Sequence, residues 1–162
     1  MKRIALILLV VALISFVFLY IKGMPVKIVE KISGPHSNII KKEYDRVFNQ
    51  DDLVNLWKRH TDNIVAMPRV NFRSNMVVAV FGGQSFNCDG IDLVKVRETR
   101  QAIYLHTRAM IYQSGQPPEK AEPFGLFVIP RSNKKLILIG GFQELIGGPE
   151  IRTVYKEFDA IP

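Results

Sequence analysis

Met76-Val77-Val78-Ala79-Val80-Phe81 is an unbroken apolar run, preceded by the polar residues Arg73-Ser74-Asn75 and closed by Gly82-Gly83. Six apolar residues, three of them Val, between turn signals read as a strand of the buried type; a helix would need about ten or more. The strand period persists downstream. Ile91, Leu93 and Val94 open a second strand that runs to Glu98. Residues 102–112 alternate cleanly, with Ile103, Leu105, Thr107, Ala109 and Ile111 on one side. The short link 99–101 predicts a hairpin between these two strands. Residues 124–129 and 136–139 are two further short strands, and 151–158 is a candidate for the last one.

Upstream of the run the pattern is different. Residues 39–48 carry Ile40, Tyr44 and Phe48 among polar neighbours and read as a half-buried strand. Asn49 has the chemistry of a helix N-cap, and Asp51 and Asp52 follow in the first turn, where the helix dipole favours acids. Leu53, Val54, Leu56 and Trp57 fall on one helical face, and Lys58, Arg59 and His60 close the helix with cations. One early helix and several strands predict an α+β fold, a mainly antiparallel sheet with one packed helix, over residues 39–162. Residues 23–38 contain Gly23, Pro25, Gly34 and Pro35 and read as a linker in which Val26-Lys27-Ile28 could add a short edge strand.

The N-terminal residues set the expected compartment. Residues 4–21 hold no charge and a single Ser. A helix of that length spans about 27 Å, enough for the hydrocarbon core of a bilayer. Lys2 and Arg3 precede it and Lys22 follows. The run ends in Phe16-Val17-Phe18-Leu19-Tyr20, too bulky for signal peptidase. Residues 1–22 are therefore read as an uncleaved signal anchor, an N-terminal transmembrane helix; a cleaved signal is the competing reading. The modest positive-inside bias places the domain outside the cytoplasm, on a single-pass protein of the cell membrane.

The formal charge is +7, but residues 1–40 account for +4 of it and the rest for +3. The remaining basic residues stand singly or in pairs, such as Lys41-Lys42 and Lys134-Lys135, with no stripe of the kind a nucleic-acid partner needs. One Cys excludes an intramolecular disulfide. A nucleophilic Cys88 would need a His base and a group to orient it. No sequence feature brings His36, His60 or His106 to it, and Asp89 beside it disfavours the thiolate. The three His have no metal-ligand spacing, and there is no phosphate loop or nucleophile elbow. Gly82-Gly83, Gly140-Gly141 and Gly147-Gly148 read as turns that need positive φ. The expectation is a chain without catalytic residues, metal or cofactor.

A longer pattern then emerges. Pro68-Arg69-Val70-Asn71-Phe72, followed by the apolar strand and Gly82-Gly83, resembles the "P-x-V-D-F, strand, G" block of PrcB-like protease-complex subunits. Leu56-Trp57 matches the Leu-Trp step in the helix that precedes that block. Cys88-Asp89-Gly90-Ile91 stands where the family has a T-G-G-Y-type turn, and residues 123–130 match its later P-[YF]…V-x-I-P strand. The resemblance covers residues 45–131 and departs from the family at Asn71, where Asp is usual, and at Cys88-Asp89. It implies an exported, envelope-associated, non-catalytic domain that accompanies another protein, a protease by the family's name. A ligand-binding or structural envelope module is the alternative, and an enzyme using Cys88 a lesser one.

If the strands from Met76 onward form a simple meander, the short links 99–101 and 131–135 share one end. The long links 82–90, 113–123 and 141–149 share the other. The long links carry Gln84, Phe86, Asn87, Gln113, Gln116 and Phe142, an amide and aromatic set on loops, and these six are the candidate partner-binding residues.

Overall fold

The computed structural model describes residues 23–63, 66–113, 117–143 and 150–161. In chain order the elements are β1 (Met24–Pro25), β2 (Glu30–Gly34), β3 (Lys42–Val47) and α1 (Gln50–His60). Then come β4 (Asn75–Gly82), β5 (Ser85–Phe86), β6 (Cys88–Glu98) and β7 (Ala102–Ile111). The chain ends with β8 (Lys120–Ala121), β9 (Phe124–Pro130), β10 (Lys135–Gln143) and β11 (Glu150–Phe158). They form a five-stranded sheet in the order β1-β6-β7-β10-β11, a four-stranded sheet in the order β2-β9-β4-β3, and a two-stranded ribbon of β5 and β8.

The apolar run 76–81 is the key to the layers. β4 sits inside the four-stranded sheet, and its two faces belong to two different cores. Met76, Val78 and Val80 face the five-stranded sheet and pack with Leu93, Leu105 and Leu138. Val77, Ala79 and Phe81 face the other way and pack under Leu53, Leu56 and Trp57 of α1. β9 divides in the same manner, with Phe127 and Ile129 on the inter-sheet side and Leu126 and Val128 beneath the helix. A strand covered on both sides has no use for polar alternation, which is why both strands read as continuous apolar runs.

The helix forms as its sequence dictates. Asn49 caps it with its side-chain oxygen, which accepts from the Asp52 N–H at 2.8 Å. Its far end stops at Thr61, whose N–H donates to the Trp57 carbonyl. Trp57 is 3% exposed, and its ring N–H donates to the Asn63 carbonyl at 2.8 Å.

The expected fold class is corrected. The described residues are mostly β, 54% strand with one short helix, a two-layer sandwich capped on one side by α1 rather than an α+β fold. Two misreadings produced the difference. Residues 23–38 are no linker: β1 pairs with β6 and β2 with β9, so this segment supplies an edge strand to each sheet. Nor is the sheet a single antiparallel meander. After β7 the chain crosses to the other layer as β9 and returns as β10, which lies parallel to β7. The expected N-terminal transmembrane helix falls in residues 1–22, outside the described residues. Among the described residues no helix is long and apolar enough to cross a membrane.

The glycine pairs also differ from expectation. Gly83 has the positive φ of a turn, +73°. Gly140 and Gly141 instead lie within β10, and the Tyr155 ring occupies the place where a Cβ on Gly140 would stand. Tyr155 in turn stacks on Tyr44 of β3, ring centres 6.0 Å apart, at the open side of the sandwich.

Candidate functional site

Two of the three long links meet at one end of the sandwich. Gly83 turns the chain out of β4, and Gln84 N–H donates to the Ile40 carbonyl at 3.2 Å. The next residues pair with the β7–β9 link, Ser85 opposite Ala121 and Phe86 opposite Lys120. Asn87 fastens the arrangement. Its backbone is left-handed, φ +49°, a conformation that Asn tolerates better than most residues. Its N–H donates to the Glu119 carbonyl and its Oδ1 accepts from the Glu119 N–H, each at 2.8 Å. Its carbonyl accepts from Tyr112 N–H at 2.9 Å, and the Tyr112 hydroxyl bonds the Glu119 carboxylate at 2.8 Å. The short links meet at the opposite end, where Lys134 Nζ donates to the Thr99 carbonyl at 2.9 Å.

The six candidate residues separate accordingly. Phe86 is 57% exposed, held out from the core on the ribbon. Gln84 and Gln113 are exposed at the same end. Asn87 spends its polar atoms on the loops themselves and is a positioning residue. Gln116 lies outside the described residues. Phe142 belongs to the backbone of β10, opposite Ile151, rather than to a loop. Ile40 and Ile111, each 55% exposed at this end, are absent from the six because the sequence reads Ile40 as part of a half-buried strand and Ile111 as part of an alternating one.

The titratable groups considered for chemistry have other duties. Cys88 is 1% exposed, its Sγ–H donates to the Gly90 carbonyl at 3.3 Å, and burial pushes the thiol up from its usual pKa. His60 is 3% exposed, its Nδ1 lies 2.9 Å from Ser37 Oγ, and its ring sits 4.1 Å from that of Phe124. Burial pulls its pKa below the ordinary value, so it is a neutral core residue tying the end of α1 to the β2–β3 link. His36 is exposed and 3.6 Å from Glu122. Among the described residues no three His, Cys, Asp or Glu side chains gather as a metal site.

Among the described residues Asp45 is the carboxyl held far from its usual state. It shares the helix-facing side of β3 with Glu43, whose carboxylate binds Arg59 through both oxygens. Burial, then a hydrogen bond and like charge from Glu43, raise Asp45 to about 6, with Arg59 and Lys156 opposing. Its Oδ2 is buried with no partner among protein atoms. Because the folded pKa lies above the unfolded value of 3.8, the group favours the fold when protonated. That contribution is present below pH 3.8 and is lost as the pH rises through about 6. Asp45→Asn is therefore expected to unfold at higher denaturant concentration than the parent at pH 7, the difference shrinking towards pH 4. Urea titrations at a series of pH values check this, and equal midpoints at pH 7 would contradict it.

The five-stranded sheet carries a second surface. Since Val96, Leu105 and Leu138 point into the core, alternation puts the neighbouring rows outside. One outer row runs Lys95, His106, Ile139 and Val154 across four strands. The next runs Arg97, Tyr104, Ile137 and Glu157. Tyr104, Ile137 and Ile139 are half-buried by their cross-strand neighbours, and Val154 is 51% exposed.

No family model matches the chain, and neither the curated proteins nor the solved structures include a significant match.

Proposed function

We propose that this chain is a non-catalytic accessory domain that binds a protein partner through the end formed by the long links. The observation that carries the reading is Phe86, 57% exposed on a ribbon that Asn87 fixes through hydrogen bonds to three backbone groups of Tyr112 and Glu119. An aromatic side chain displayed on a rigid support loses little entropy on binding, and such residues dominate interface energies. Gln84 and Gln113 offer hydrogen bonds beside it, and Ile40 and Ile111 extend the apolar area. The uncharged residues 4–21 support a location at the cell membrane with the domain outside the cytoplasm. The resemblance to PrcB-like subunits supports an envelope protein as the partner, a protease being the first to test.

The test is affinity purification of the full chain from membranes, with mass spectrometry of what accompanies it. Phe86→Ser combined with Gln84→Ala is expected to lower recovery of the specific partner about tenfold or more, the effect of losing an interface hot spot. The melting temperature should be unchanged, because both side chains are exposed. Loss of the partner on changing residues 99–101, with the long links indifferent, would place the surface at the wrong end.

A further inference from the structure

The outer face of the five-stranded sheet is basic around an apolar centre. Tyr104, Ile137, Ile139 and Val154 form the centre, and Lys95, Arg97 and Arg108 stand beside them on β6 and β7. The acids of these rows are already neutralised. Asp92 is bound by Lys31 at 2.8 Å and Glu157 by Lys135 at 2.5 Å. Arg97 donates to the Gly23 carbonyl at 3.1 Å, a bond that orients its charge without cancelling it. An apolar middle with a charged margin rich in Arg is the anatomy of a protein interface.

Charge decides what fits. A second copy laid face to face would set Lys95, Arg97 and Arg108 against their own counterparts. Residues 1–22 contain no acid and carry Lys2, Arg3 and Lys22, so they repel the same face. A single Tyr among aliphatic residues is a poor platform for stacked bases. We propose that this face is a second docking surface, for an acidic amphipathic helix of a partner protein whose apolar stripe is flanked by Asp and Glu. The proposal rests on the reading of the chain as a protein-binding domain but not on the loop end.

The test uses the full chain in non-ionic micelles and a synthetic helix of about 21 residues, about six turns, with Leu at i, i+3, i+4 and i+7 positions and Glu on both flanks. Binding is expected to weaken with salt, and amide shifts should concentrate in β7 and β10. Lys95→Glu with Arg108→Glu is expected to weaken binding about tenfold or more without changing the unfolding midpoint. Phe86→Ser should leave it unaltered. Equal binding of a Lys-flanked helix, no binding, or shifts centred on residues 84–87 would overturn the proposal. So would binding to phosphatidylglycerol vesicles without the peptide, which marks a membrane face, or self-association through β7 and β10. The co-purification experiment on Phe86 fails or succeeds independently of these outcomes.

Discussion

Replacing Trp57 by Ala is expected to lower the stability of the domain by about 3–5 kcal/mol, the usual cost of emptying a buried aromatic site. A single domain holds about 5–15 kcal/mol in all, so the variant should melt about 10 °C or more lower, or fail to fold. The reason lies in how α1 is attached. The helix presents Leu53, Leu56 and Trp57 to the outer face of the four-stranded sheet, and Trp57 is the largest of them. Its ring meets His60 edge-on at 5.2 Å and its N–H holds the Asn63 carbonyl. Removing it leaves a cavity in the core between α1 and the sheet, beside His60, and frees that carbonyl. Calorimetry checks the prediction, with Lys58→Ala on the exposed side of the same helix as the control. An unchanged melting temperature for Trp57→Ala would show that the helix does not dock through this residue.

The second large effect is expected from adding atoms. Gly125 lies in β9 against the Ile91 backbone of β6 in the other sheet. A Cβ there would stand 2.6 Å from the Ile91 carbonyl oxygen and against the Phe127 ring. A ring can turn aside, but a backbone oxygen inside a strand cannot. Overpacking usually costs about 1–3 kcal/mol, and Gly125→Val should reach the upper end, about 3 kcal/mol. Gly34→Ala gives the comparison: its Cβ would meet only the side chain of Phe124, at 2.9 Å, so the loss should be smaller. Urea unfolding of the two variants orders them, and a neutral Gly125→Val would mean that the sheets are not in contact there.

These two residues also mark what the sequence reveals. Trp57 and its helix are legible because everything that makes them is local: the Asn49 cap, the acids after it, the cations at the end and the 3.6-residue apolar spacing. The 99–101 hairpin is legible for the same reason. Gly125 carries no signal of its own, because its need for a bare backbone comes from Ile91 in another layer. Likewise residues 23–38 offer only the short Val26-Lys27-Ile28 alternation; β1 and β2 lie on either side of it and are defined by partners at Glu98 and Val128. The parallel step from β7 to β10 was hidden because short apolar runs show burial without showing which sheet receives them. At the candidate site, loop position and residue type pointed to Phe86, while the inward-directed bonding of Asn87 depends on Glu119 and Tyr112 and could not be read from their spacing.

The way β9 lies between β2 and β4 has a further consequence, for the order in which the protein can be made. Glu30 waits for Val128, and Met76 waits for Ile129, before the four-stranded sheet has its middle. Such distant pairings belong to domains that fold in milliseconds to seconds, rather than microseconds. On the ribosome, at roughly 5–20 residues per second, the strand 76–81 is exposed for several seconds before 124–130 can cover it. An uncovered apolar strand is the kind of segment that aggregates, so the nascent chain is most prone to association over this interval. A chain terminated before Phe124 lacks β9, so β2 has no partner strand and β4 keeps one edge unpaired.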